Sequence, residues 1–200
     1  MRFLFDVSKA KEQSLIPILT AGQLITPLTR YRKWMDVYAI DNGCYGGLRE
    51  KDFLSLLRRE DPNKEACLFV TCPDVVGDVV ATLASFVVWN PRILDLGFKT
   101  AYVAQDGATI ANTPWDEFTA LFLGGKDPWK DSLEAQTLVR ESVVRGKHTH
   151  IGRVNALDRF IRYSDLGAHT CDGSGVSRYP NAKLPQFLPY QIKRYEQPNT

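Results

Sequence analysis

Paired cysteines are missing from this sequence. Cys44, Cys67, Cys72 and Cys171 show no C-x-x-C spacing, which removes the usual structural zinc patterns. No apolar run approaches the ~18 residues that a membrane span needs, and nothing near Met1 resembles a cleaved secretion signal, so a cytoplasmic setting is expected. Charge of one sign is lacking too: 25 Lys+Arg stand against 23 Asp+Glu, a formal +2. That balance neither demands a nucleic-acid partner nor excludes one, because a local basic patch can hide in a neutral total. What is present is an ordinary globular composition, 200 residues with 44% hydrophobic and 24% charged, enough for one sizeable core and by default one domain.

The chain reads as strand, loop and helix in repetition. Strand segments are Met1 to Val7, Asp36 to Asp41, Ala66 to Thr71, Thr100 to Ala104, Ala120 to Leu123, His148 to Ile151 and His169 to Asp172. A doubtful one lies at Leu15 to Thr20, where Pro17 permits at best an edge strand. Helices are expected at Asp52 to Arg59, Val79 to Phe98 with a break at Asn90-Pro91, Trp115 to Phe118, Ser132 to Arg145 and Asn155 to Leu166. In the last of these, Leu157, Phe160, Ile161 and Leu166 face a sheet, Asp158, Arg159, Arg162 and Asp165 take the other side, and Gly167 stops the helix.

Helices between successive strands imply parallel pairing through right-handed crossovers. The fold class expected is α/β, a small TIM-type (β/α) barrel below the ~250 residues typical of that fold; a doubly wound open sheet is the alternative. Polar or glycine residues end several strands (Asp41, Asp74, Gln105, Gly124, Asp172), and a barrel brings such positions to one mouth. Residues 1–178 are read as one barrel domain. Residues 179–200, with prolines at 180, 185, 189 and 198, are read as an extended, partly disordered tail.

Taken in order, IDNGCYGG, CPDVVGD, VAQDG, LFLGG, HIGRV and CDGSGVSR resemble the strand-end motifs of the tRNA-guanine transglycosylase superfamily. The likeness runs from about Tyr38 to Arg178 and is nearest to the small phage and bacterial relatives that place 7-deazaguanine bases in DNA. It implies that Asp172 is the nucleophile and Asp41 the general acid/base. Asp74, or else Asp78, would hold the ring N–H and amine of guanine. Gln105 would read the polar edge and Gly124-Gly125 would reach the carbonyl oxygen; beside what the resemblance implies, Tyr45 and Gly152 are read as substrate-binding, with Gly152-Arg153 also a candidate phosphate contact. No cofactor and no metal are implied, and the location is the host cytoplasm where such a protein is phage-encoded. The family's cluster of three cysteines and a histidine is absent after Asp172, and the chain is too short for an appended RNA-binding domain; both favour DNA over tRNA.

The chemistry asks for such residues independently. Exchange of a base at C1′ with retained configuration takes two displacements through an oxocarbenium-like state, one carboxylate attacking and a second group managing the proton. A further carboxylate and an amide suit the donor and acceptor edge of guanine. The bland readings are that Asp41, Asp74 and Asp172 cap turns or helices and that Gln105 is a surface residue. For nucleic-acid contact, TRYRKW offers Arg30, Arg32 and Lys33 beside two aromatics, and Arg153 and Arg178 flank the last two motifs; a solvated basic surface is the alternative. Tyr45, Trp129 and Tyr179 are candidates to hold or replace an extruded base. Cys44, Cys72 and Cys171 lie near His169 but read better as buried thiols than as a metal site. Rival functions are a free-nucleoside N-glycosidase or deoxyribosyltransferase, and a non-catalytic nucleic-acid-binding accessory protein.

Overall fold

The apolar strand segments close on one another. A computed structural model of the chain describes residues 1–5, 21–29 and 37–195. Its strands are β1 (Arg2–Phe5), β2 (Ala21–Ile25), β3 (Tyr38–Ile40), β4 (Cys67–Thr71), β5 (Thr100–Ala104), β6 (Ala120–Leu123), β7 (His148–Ile151) and β8 (Thr170–Cys171). All eight pair in parallel in chain order, and β8 returns to β1, so the sheet is a closed ring. The protein is an α/β barrel of the TIM type.

Strand alternation sorts the side chains into two layers. Leu4, Leu24, Ala39, Phe69, Ala101 and Ala120 form a cluster inside the ring, with Phe122 packed against it, so that two phenyl rings set among small and aliphatic side chains fill a narrow lumen. Tyr38, Ile40, Tyr102, Leu121, Ile151 and Cys171 belong to the larger cluster between ring and helices. The same alternation carries inward positions to the strand ends: Ala39 leads to Asp41, Ala101 and Val103 to Gln105, Phe122 to Gly124, His150 to Gly152, and Thr170 to Asp172. Strand register therefore aims the mouth residues.

The outer layer is made of α1 (Glu50–Glu60), α2 (Val79–Leu94), α3 (Asp127–Lys130), α4 (Leu133–Val144), α5 (Leu157–Asp165), α6 (Ser174–Arg178) and α7 (Pro180–Tyr195). Helix α1 buries Phe53, Leu56 and Leu57, each worth ~1.5–3 kcal/mol when fully buried, and carries acids in its first turn and Arg58 and Arg59 in its last, matching its dipole. Helix α5 ends as expected, with Gly167 at φ 90.

The strand that follows β1 is Ala21–Ile25; the expected strand at Leu15 to Thr20 lies outside the described residues. Three expectations need correction. Helix α2 runs through Asn90-Pro91 unbroken: proline removes one donor near the end of the helix, while buried Trp89 and Ile93 hold that turn to the core. The region after Tyr179 is helical to Tyr195. Pro180 opens that helix, where an N–H has no intrahelical partner to lose, and Phe187 packs edge-on against Phe3 and Phe160 at 5.3 Å each. Finally, Arg159 is not on a free polar face. It lies under α3, bound to Asp127 at 3.0 Å and Asp131 at 2.8 Å.

Candidate active site

A cavity of about 180 Å³ opens at the carboxyl ends of the strands, lined by Asp41, Asp74, Gln105, Gly124, Gly125, Gly152, Arg153 and Asp172 together with Tyr45 and Lys130. The ring thus brings the candidates from β3, β4, β5, β6, β7 and β8 to one place. Three carboxylates share it.

Asp41 follows β3 and accepts from Thr71 Oγ1 at 3.2 Å and from the Gly43 amide at 3.4 Å. Burial, then the negative charges of Asp172 and Asp74, push its pKa up from 3.8 to about 7 despite those two donors. Such a group gives or takes a proton with little penalty at neutral pH.

Asp74 stands after β4 with both oxygens engaged. Asn42 Nδ2 donates to Oδ1 at 2.9 Å and Gln105 Nε2 to Oδ2 at 2.6 Å. Burial raises its pKa, against the pull of those donors. Asn42 is buried, donates also to the Cys72 carbonyl and receives the Cys44 amide, so the DNG turn after β3 braces the carboxylate after β4. Gln105 is 2% exposed; its Oε1 takes the Gly77 and Gly125 amides, each at 2.9 Å. Gly125 has φ 73 and faces the Trp129 ring with no room for a Cβ. With the Gly125 amide given to Gln105 and the Gly124 amide to the Ala104 carbonyl at 2.9 Å, neither amide of the glycine pair is open to a ligand in this structure.

Asp172 follows β8. Its Oδ1 receives the Arg153 amide at 3.0 Å and faces His150 Nε2 at 3.1 Å, while Oδ2 carries no hydrogen bond among the described residues. Arg153 has φ 55, left-handed for a residue with a side chain. Its guanidinium donates to the Gly125 carbonyl at 2.9 Å and lies 5.3 Å over the Tyr45 ring. These two residues bridge one side of the mouth, and the Tyr45 ring is 77% exposed there.

Other candidates lie elsewhere. Asp78 caps α2, accepting from the Ala81 amide at 2.9 Å, and does not line the cavity; of the two carboxylates considered for base reading, only Asp74 does. Trp129 packs on the core, and Tyr179 is exposed away from the cavity lining. Arg178 ends α6, exposed and likewise off the lining. Arg30, Arg32 and Lys33 lie outside the described residues. Cys72 and Cys171 are buried, and Cys44, at the cavity, has its thiol pushed up to about 11 by burial. No cluster among the described residues has the makings of a metal site.

Sequence reasoning missed Asn42, His150 and Lys130. Lys130 has no exposed side-chain surface, donates to the Gly152 carbonyl at 3.0 Å and pairs with Asp127 at 3.4 Å; burial, with Arg153 adding to it, lowers its pKa. Only its position five residues after the glycine pair hinted at this. The fold and site define a TIM-type barrel with a carboxylate-lined mouth. Comparison with protein-family models and with curated proteins finds no match.

Proposed function

We propose that this barrel is a transglycosylase that exchanges guanine for a 7-deazaguanine base in nucleic acid, DNA favoured over tRNA, by a retaining double displacement. The observation that carries this reading is the disposition of the three carboxylates around one small cavity. In the ring order, β4 and β8 lie on opposite sides. A flat base with its glycosidic nitrogen toward Asp172 extends its far edge, the N–H and amine of a guanine, across to Asp74 and Gln105. Asp172 attacks C1′ and forms the glycosyl ester as the C1′–N bond breaks. Asp41 gives the departing base its proton and then takes one from the incoming base, which restores the C1′–N bond and frees Asp172. The cavity is below the ~300–1,000 Å³ of sites that enclose larger ligands, which suits a single base extruded from a strand.

The Arg153–Tyr45 contact over the mouth favours one second reading, a transferase or hydrolase for free nucleosides, because that guanidinium is occupied within the protein rather than offered to a strand. Labelled guanine exchange on duplex DNA, single-stranded DNA, tRNA and deoxyguanosine separates the two. Exchange on DNA is expected, and exchange confined to deoxyguanosine overturns the proposal. DNA binding with no exchange and no covalent adduct would mark a non-catalytic accessory protein.

A further inference from the structure

The lumen behind Asp172 is polar where a barrel of this kind is usually apolar. Inward positions of β7 and β8 hold His148, His150 and Thr170, joined end to end. His148 Nε2 lies 2.8 Å from Thr170 Oγ1, the same hydroxyl lies 2.8 Å from His150 Nδ1, and His150 Nε2 lies 3.1 Å from Asp172 Oδ1. The His150 ring is wholly buried, stacked on Phe122 at 4.5 Å and edge-on to Phe69 at 5.4 Å.

Hydrogen counting gives the chain a direction. An ionised carboxylate only accepts, so Nε2 of His150 must carry the proton, and a neutral imidazole then has Nδ1 bare. The single hydroxyl hydrogen of Thr170 goes to that Nδ1, and the hydroxyl oxygen takes the N–H of His148. His148 suits its end of the chain: burial and the neighbouring histidines push its pKa down to about 3, so it stays neutral. The anchored oxygen of Asp172 is Oδ1, which leaves Oδ2 to react.

We propose that His150 is a positioning residue for Asp172, its Nε2–H holding Oδ1, and that Thr170, which does not line the cavity, supports that tautomer by donating to the bare Nδ1. The inference rests on the reading of Asp172 as nucleophile, but one part of its test does not. Thr170→Val keeps the shape and removes the hydroxyl. In the full-length protein, histidine ¹⁵N resonances should place the His150 proton on Nε2 with a hydrogen-bonded Nδ1, and Thr170→Val should move the Nδ1 resonance to that of an unbonded nitrogen. The rate of glycosyl-adduct formation should fall about 10–100-fold, the scale on which losing a partner that orients a functional histidine is felt, with unchanged affinity for guanine, and Thr170→Ser should restore both readouts. A His150 proton on Nδ1 in the parent, or an Nδ1 resonance indifferent to Thr170→Val, overturns the inference whatever the activity, as does an adduct rate that stays near parental. A parent protein that makes no adduct but shows the Nε2 proton and the Nδ1 response removes the transglycosylase reading and leaves the anchoring of Asp172 by His150 standing.

Discussion

Gln105 and Asp74 are locked together by a 2.6 Å hydrogen bond from amide to carboxylate. Because the Gln105 oxygen is already filled by the Gly77 and Gly125 amides, only its second Nε2 hydrogen remains to offer. Gln105 therefore presents a donor to a base carbonyl, where the sequence suggested a group that both donates and accepts. Gln105→Ala should weaken guanine binding, reduce the preference for guanine over adenine analogues, and lower the melting temperature as well. The stability loss follows from the two backbone N–H groups left without their acceptor, ~1–3 kcal/mol for each that stays dry. Titration of guanine and a parallel melting curve check both effects.

Asp172→Asn should abolish exchange and the covalent adduct, a loss beyond the ~10²–10⁴-fold that removing a general acid/base costs. The amide still fills the space and can accept from the Arg153 N–H, so stability should change little. Intact-mass measurement of the protein incubated with substrate detects the adduct. Asp165→Asn, at the end of α5, is the control; its failure alongside near-parental Asp172→Asn would show the nucleophile to be misplaced.

Asp41 couples stability to pH. Its carboxyl has a pKa of about 7 in the folded chain against an ordinary 3.8, so the folded state holds the proton more tightly. The stability this confers is complete below about pH 3.8 and is lost as pH rises through 7. Asp41→Asn should therefore melt higher than the parent at pH 8, by about 2–4 °C per kcal/mol of relief, and the difference should close toward pH 4. The descending limb of the adduct-formation rate near pH 7, where the departing base needs a proton, should disappear in the same variant. A melting difference that grows toward low pH would contradict the buried, proton-retaining carboxyl.

The barrel was legible because its strands are short apolar runs separated by helices, and the mouth residues because strand ends carry polar groups. β2 was not: Ala21 and Gly22 weaken its start, and Gln23, wholly buried, interrupts the apolar pattern. Prolines misled twice, in α2 and in α7, since packing of Trp89, Ile93 and Phe187 outweighs a missing donor near a helix end or at its start. Asn42, Lys130 and His150 escaped for another reason. Each acts through a hydrogen bond to a residue distant in sequence, such as Asn42 to Asp74 or His150 to Asp172, and pairing of that kind has no local pattern. One signal was available: histidines two apart in β7 share the inward face with Gly152.

Asp74 and Asp78, four residues apart, should separate recognition from stability. Asp78 caps α2, so Asp78→Ala should cost ~1 kcal/mol of stability, as cap removals do, and leave guanine affinity unchanged. Asp74 is a desolvated carboxylate whose raised pKa marks a charge the folded protein holds at a cost, but its removal also strands the buried Gln105 Nε2 donor, so the two effects oppose and the net stability change at pH 8 should be small. Guanine affinity should fall instead, because the donors of the bound base lose a charged acceptor in a dry pocket; ~1–3 kcal/mol corresponds to roughly 5- to 150-fold. Asp74→Asn sharpens the test. It keeps the shape but loses the charge, and its single oxygen can accept from only one of Asn42 Nδ2 and Gln105 Nε2, so the other meets the new amide nitrogen, donor against donor. Affinity should drop at least as far as in Asp74→Ala, with a lower melting temperature from the donor clash. Guanine titrations and melting curves on the three variants decide the matter: equal affinity in Asp74→Ala and Asp78→Ala would remove Asp74 from base recognition.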